Sequence, residues 1–429
     1  DFDTDPTAEL DISGNNPEIW KDAGGNPGGF LAVTYPVGDQ RGFIVFPDAD
    51  AGKIVTGFTF ECDLRVGNST GDRAADGFSV SVARPGDPVL VNPTDVQMAD
   101  FAGGIAEGGT TTGIAVSFDT WSGNVYPDGP DIEGILVRVD NQTLSRTALP
   151  TRNGECDDNT SLQTGLWDSD YWSVGLADPY DPEAWAGLCW QPFKIEITPA
   201  EGANPATVTV EWKGRKILDN EPTAWFPSPG QIVLGGRTGG SNENTHMDNI
   251  RLSTTVSDLD PNPPTDPSNL EAPEVGAGRV LLTWDPATDD SGSVAYEVEK
   301  DGTVLGQLIT VPTYEDTGVR DETQYSYRVR AVDPSGNQSG WTDLITVTTG
   351  SLVPSQAFLS GLIYDDITGV TVDDGLNSAK YPDEYDRIVT LNGLTFGQPG
   401  FGETYGDNYF ISIQGTITPT ETAEYDFFI

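Results

Sequence analysis

The sequence reads as an all-β, multidomain chain, and three observations carry that reading. Apolar residues alternate with polar ones through most of the length, and no long stripe recurs at i, i+3, i+4. Gly 50 and Pro 31 punctuate the short runs, with aromatics at 10%, a composition that suits many strands joined by tight turns. At 429 residues the chain exceeds one ordinary core, so about two to four domains are expected.

The first block, residues 1–256, follows a glycine-rich opening from Gly24 to Gly29. Its strand candidates are Phe30–Tyr35, Gly42–Phe46, Gly57–Arg65 and Gly77–Ala83, then Gly113–Trp121 and Gly134–Asp140. Phe193–Thr198, Thr207–Lys213, Gln231–Gly235 and Met247–Ser253 complete the set. An acidic, aromatic insertion from Asn153 to Gln191, with Trp167, Tyr171, Trp172, Tyr180, Trp185 and Trp190, interrupts them. So many evenly patterned strands imply two stacked antiparallel sheets, a jelly-roll sandwich.

The block is organised around Gly113 to Asn141, which reads as strand, acidic loop, strand. Ile114, Val116 and Phe118 alternate with Ala115, Ser117 and Asp119, the period of a half-buried strand; Ile135, Val137 and Val139 do the same. Between them lie Asp119, Asn124, Asp128, Asp131 and Glu133, on a loop shaped by Gly123, Pro127, Gly129 and Pro130. Closely spaced hard oxygen donors are what Ca²⁺ requires, which makes Asp119, Asn124, Asp128 and Asp131 the candidate ligands. A solvated turn in a very acidic protein is the other reading, and composition leaves both open.

The net charge of −45 excludes a generic phosphate-binding surface, because nucleic acid and anionic lipid would both be repelled. It fits a salt-tolerant or calcium-rich extracellular setting. No apolar run approaches the ~20 residues that span a bilayer. The chain starts at Asp1 without an initiator methionine, which a cleaved precursor or a trimmed chain would explain. Of the three cysteines, Cys62 is in phase with Phe58, Phe60 and Leu64 and reads as a buried thiol. Cys156 and Cys189 flank the loop-rich insertion; bridged, they would close a loop worth roughly 3–4 kcal/mol and imply an oxidising compartment.

A linker at residues 257–266, rich in Asp and Pro, cannot join a ladder and reads as an extended, semi-rigid spacer. The second block, 267–350, alternates inward at Leu270, Val280, Leu282, Trp284, Tyr296 and Val298, then from Tyr325 to Ala331 and at Ile345 and Val347. That is a sandwich of short strands with a core tryptophan and no disulfide. The third block, 351–429, carries Gly361-Leu362-Ile363-Tyr364, Lys380-Tyr381-Pro382, Asp407-Asn408-Tyr409, and a last run Tyr425-Asp426-Phe427.

These residues carry three resemblances. Ala75-Asp76-Gly77-Phe78, Gly103-Gly104, Val116 to Trp121 and His246 to Ile250 make the first block resemble the concanavalin A-like jelly roll of legume lectins and laminin-G domains. The resemblance implies a sugar site in which Asp76 accepts from hydroxyls, the Gly104 N–H donates and Asn124 completes the set, with Asp119 on calcium. Ser117 stands where those lectins have a metal-binding glutamate, which argues against a second, transition-metal site. The second block resembles a fibronectin type III domain through Leu282-Thr283-Trp284, Ala295 to Val298 and Tyr325 to Asp333. A tyrosine corner at the start of that last strand is implied. Asp333-Pro334-Ser335-Gly336-Asn337 stands where some relatives carry an Arg-Gly-Asp motif, so integrin-type binding has no support. The third block resembles the N-terminal part of a PA14 domain, here ending inside a strand; the expectation is that the natural polypeptide continues or that a neighbour completes the sheet, which would allow self-association.

Catalysis finds little support. His246 is the only histidine, with neither a Gly-x-Ser-x-Gly nor a zinc pattern beside it, and no Glu-x-Asp-x-x-Glu run occurs. The glycine runs lack a following Lys-Ser/Thr, so they are loops and not phosphate cradles. Asn68, Asn141, Asn159 and Asn337 fit the glycosylation sequon. The aromatic insertion reads mainly as its own small core, leaving one or two rings exposed.

The expected function is calcium-supported carbohydrate or glycoprotein binding by a secreted, bacterial, non-catalytic surface protein. Two rivals stand beside it: a subunit of an extracellular fibre or surface layer, and the non-catalytic portion of a larger glycosidase.

Overall fold

The computed structural model describes residues 2–69, 74–92, 106–121, 132–152, 155–165, 178–201, 204–350, 359–364, 367, 375–381, 385–391 and 410–414. The fold is all-β, built from antiparallel sheets.

The N-terminal strands are β1 (Asp11–Gly14), β2 (Trp20–Lys21), β3 (Phe30–Thr34), β4 (Arg41–Val45), β5 (Ile54–Gly67), β6 (Gly77–Ala83) and β7 (Ile114–Asp119). They continue as β8 (Gly134–Val139), β9 (Gln142–Ala148), β10 (Gln191–Thr198), β11 (Thr207–Trp212), β12 (Arg215–Pro222), β13 (Gln231–Arg237) and β14 (Asn244–Ser257). One seven-stranded sheet runs β1-β4-β13-β6-β7-β8-β9, and a second runs β12-β11-β10-β5-β14-β3-β2. Their inner faces share one core, to which Phe78, Val116, Phe118 and Val137 come from the first sheet and Phe60, Phe193, Trp212 and Met247 from the second. Phe118 sits at its middle: it stacks on Phe78 at 4.4 Å and meets Phe193 and Trp212 edge-on, both at 5.1 Å. Burying rings of this size is a large apolar contribution, and their offset and edge contacts add to it.

The alternation read for β7 and β8 needs correction, because both strands are buried on both faces. A strap formed by residues 84–92 and 106–112 crosses the outer face. Ser79 Oγ donates to the Ala106 carbonyl at 2.8 Å, and Ser117 Oγ donates to the Gly108 carbonyl at 2.9 Å. Asp87, fully buried, pins both described parts of the strap: it accepts from the Val89 N–H at 2.9 Å and from the Thr112 N–H and hydroxyl, each at 2.8 Å. Small polar residues that looked solvent-facing are therefore the strap's anchors. Cys62 is buried opposite Phe193, and burial pushes its thiol pKa up.

A satellite core gathers the described part of the insertion: Trp185 and Ala184 pack with Phe30, Ala32 and Tyr35, flanked by Tyr180 and Trp190. Arg65 lies 4.3 Å from the Trp190 ring centre and 4.8 Å from that of Phe30. Its Nε donates to His246 Nδ1 at 3.1 Å. Cys156 and Cys189 are disulfide-bonded, with Cα atoms 5.6 Å apart. Lys213 Nζ ties the same segment down by donating to the carbonyls of Asp158 and Ser161 at 2.9 and 3.3 Å, and to that of Gln163.

Residues 258–267 make no strand until Ser268, yet they are not loose. The Asn337 side-chain amide donates to the carbonyls of Asp260 and Asn262 at 2.6 and 3.2 Å, and the Thr265 N–H donates to Thr288 at 2.9 Å. The next strands are β15 (Ser268–Val275), β16 (Val280–Asp285), β17 (Ala295–Lys300), β18 (Thr303–Val304), β19 (Thr313–Asp316), β20 (Gln324–Val332) and β21 (Ile345–Thr348). They form sheets β15-β16-β19 and β18-β17-β20-β21, closed over Leu282, Trp284, Tyr296, Tyr327 and Val329. The Tyr325 hydroxyl accepts from the Arg320 N–H at 2.8 Å, while Tyr327 donates to Asp316 at 2.7 Å. The C-terminal block contributes β22 (Leu359–Tyr364), β23 (Arg387–Leu391) and β24 (Phe410–Gln414), ordered β23-β22-β24; its closing run lies outside the described residues.

Candidate functional site

The rim of the first sandwich, where β6 starts and β7 ends, brings Asp76 and Asp119 together. Gly77 pairs directly with Asp119 across the two strands, and the Thr120 N–H donates to the Asp76 carbonyl at 3.0 Å. Gly77 is required there: its φ is +145°, and a Cβ would stand 2.2 Å from the Phe118 carbonyl oxygen. The peptide joining Ala75 to Asp76 is cis. Asp119 is buried, and its Oδ1 accepts from the Trp121 N–H at 3.2 Å. Gly104, Asn124, Asp128 and Asp131 lie outside the described residues.

Three rim residues escaped the sequence reading. Arg237, at the end of β13, donates from Nη1 to Glu107 Oε1 at 2.8 Å, and its Nε stands 3.5 Å from Asp76 Oδ2. That last separation is too long for a good hydrogen bond, and Asp76 Oδ2 is buried with no hydrogen-bond partner among the described residues. Glu243 is fully buried, and its Oε1 accepts from the Thr120 hydroxyl at 2.6 Å.

Burial dominates the electrostatics of these groups. It raises the Asp76 pKa, against the pull of Arg237 and with a push from Asp39. Burial likewise lifts Glu107 to about 7, opposed by Arg237, and Glu243 to about 8, opposed by the Thr120 hydrogen bond. Among the described residues the rim offers fixed carboxylate oxygens, one guanidinium and the backbone of the loop after Arg237. That set accepts hydrogen bonds from hydroxyls. Glu107 in Ala106-Glu107-Gly108 and Glu243 in Asn242-Glu243-Asn244 carried no periodic signal, because glycine- and asparagine-rich surroundings read as loop.

His246 is fully buried, and loss of hydration together with the adjacent Arg65 charge holds its pKa well below the usual imidazole range. It accepts from Arg65 at Nδ1 and serves the satellite core. A second acidic group lies where the linker meets the second sandwich: Asp260, Asp289 and Asp333 place carboxylate oxygens within 4.8 Å of one another. Asp333 accepts there from the Asn337 N–H at 2.8 Å and from its amide at 2.7 Å. Among the described residues these three carboxylates form a group close enough to share one ion.

No family model matches the chain. Stretches of it are similar to an alpha-amylase of Niallia circulans, 41% identical over 88 residues (20% of this chain, 7% of that protein). Exoglucanase B of Cellulomonas fimi is 37% identical over 86 residues (20% and 8%), and chitinase C of Streptomyces lividans is 27% identical over 208 residues (47% and 33%). The chain thus spans a third or less of the length of each. Among solved structures it is similar to the exoplasmic/lumenal domain of VIP36 in its Ca²⁺/Man3GlcNAc-bound form, at 13% identity, TM-score 0.33, covering 59% of this chain and 87% of that one. Lectin II from Ulex europaeus follows at 16% identity, TM-score 0.32, covering 58% and 93%. An Fn3-like protein from Clostridium thermocellum is 28% identical, TM-score 0.18, covering 21% and 99%. No helix among the described residues is long and apolar enough to cross a membrane.

Proposed function

We propose that this chain binds carbohydrate without cleaving it, at the rim around Asp76, and that calcium held through Asp119 and the loop after it stiffens that rim. The observation that carries the reading is Asp76 Oδ2, a buried carboxylate oxygen fixed beside Arg237 and lacking a hydrogen-bond donor among the described residues. Buried acceptors in folded proteins find donors, and a sugar hydroxyl is a suitable one. Asn124 and the Gly104 N–H would complete the sugar contacts, and Asn124, Asp128 and Asp131 the calcium shell.

Stretches of the chain are similar to parts of an amylase, an exoglucanase and a chitinase. They favour its being an accessory, non-catalytic portion of a larger carbohydrate-active protein, secreted by a bacterium. The Cys156–Cys189 bridge fits an oxidising, extracytoplasmic setting. Residues 267–350 would then act as a spacer and 351–429 as the start of a PA14-like module.

A glycan array probed with the purified chain in calcium buffer tests the reading. Binding should fall at least ~10-fold with a chelator and with Asp76→Asn, a loss of more than about 1.4 kcal/mol, while thermal unfolding of the variant stays cooperative. Undiminished binding by Asp76→Asn would sink the proposal.

A further inference from the structure

Among the described residues the rim gathers several acidic side chains around one basic one. Asp76, Asp119, Glu107 and Glu243 are all buried, and exposed Asp39 adds its field to Asp76. Among the described residues Arg237 is the basic side chain that reaches this group, and it holds Asp76 through two routes. Its carbonyl accepts from the Asp76 N–H at 3.2 Å, while its guanidinium lies between Asp76 and Glu107. The turn that follows closes against the same carboxylate: a Cβ on Gly239 would stand 2.9 Å from Asp76 Oδ2. Arg237 therefore links three pieces of chain: the strap through Glu107, the start of β6 through Asp76, and the turn after β13.

We infer that Arg237 is the positioning residue of this rim, and that the rim selects neutral or cationic polyhydroxylated ligands over anionic ones. This rests on the carbohydrate reading above. A site for uronates or sulfated sugars needs a guanidinium fork open to the incoming oxyanion. Here one arm of the fork already donates to Glu107 and another faces Asp76, while an anionic ligand would also meet the field of exposed Asp39. A hydroxyl can donate to Asp76 without that repulsion, and an ammonium group would be attracted. The chain's net charge of −45 acts in the same sense at longer range.

The test uses the full chain at pH ~8, where Glu107, with its pKa of about 7, is ionised. Immobilised oligosaccharide pairs share one backbone and differ at C6: mannose against mannuronate, galactose against galacturonate, with glucosamine oligomers as the cationic member. The neutral member should bind at least ~10-fold tighter than its uronate, and the gap should narrow as NaCl rises from ~50 to ~500 mM. Arg237→Gln should weaken neutral binding ~10-fold, with Arg237→Lys in between because it keeps the charge but not the fork. Glu107→Gln, which removes the carboxylate charge that engages one arm of the fork while keeping an oxygen acceptor, should narrow the neutral-to-uronate gap several-fold, and it carries the test if Arg237→Gln unfolds. Parent protein that binds uronates as well as neutral sugars overturns the inference and leaves the carbohydrate reading standing. Parent protein that binds no sugar overturns that reading itself. A neutral-to-uronate gap unmoved in Arg237→Lys and Glu107→Gln overturns the role given to Arg237.

Discussion

At Glu243 folding buries a carboxyl group whose described hydrogen bond comes from the Thr120 hydroxyl, and its pKa rises from 4.5 to about 8. Between those values the folded chain keeps a proton that the unfolded chain releases. Rising pH therefore lowers stability across that window, and above it the penalty is constant. Glu243→Gln removes this titration while keeping an acceptor for Thr120. Variant and parent should melt together near pH ~4.5, and the variant should melt higher at pH ~9, the gap opening as pH climbs between. A gap equal at both ends would refute the buried-carboxyl account. His246 works in the opposite direction, since its neutral form is favoured in the fold and acid below ~6.5 would oppose folding. It is common to both proteins and cancels in their difference.

At the scale of elements, the strap is the feature that sets this sandwich apart from an open two-sheet shell. Its stability concentrates in Asp87, which is buried and accepts from the backbone and side chains of Thr111 and Thr112 as well as from Val89. Removing a buried charged acceptor leaves several donors without partners, so Asp87→Ala should cost about 3 kcal/mol or more in denaturant unfolding. A loss under about 1 kcal/mol would mean that water replaces the carboxylate. The strap also marks where sequence reading stops. Strands whose apolar residues alternate, such as β5, β10 and β16, were legible because one side faces the core. Strand β9 (Gln142–Ala148) and β12 (Arg215–Pro222) were not, since both are sheet edges with little burial and polar sequences. Ser79 and Ser117 read as solvent-facing because nothing in a local pattern announces that the segment between their two strands folds back to cover them. At the rim, Asp76 and Asp119 were legible through Ala-Asp-Gly and Phe-Asp-Thr. Arg237, Glu107 and Glu243 were not, because their contacts span more than a hundred residues of chain.

For the whole molecule, the net charge of −45 is the dominant global term. Self-repulsion destabilises a compact chain of this kind, and added salt relieves it. The melting temperature should therefore climb by several degrees between ~20 mM and ~500 mM NaCl, and millimolar CaCl₂ should raise it further at matched ionic strength if the folded state binds the ion. A melting temperature indifferent to NaCl would contradict the repulsion argument, and one indifferent to CaCl₂ would count against the calcium loop. Finally, Asn337 begins a sequon, Asn337-Gln338-Ser339, yet its amide nitrogen is what fastens the Asp260–Asn262 segment to the second sandwich. A host that attaches an oligosaccharide to that nitrogen would unfasten the joint. Protein secreted from a glycosylating host would then lose this tie, where the same polypeptide from a host without that modification would keep it.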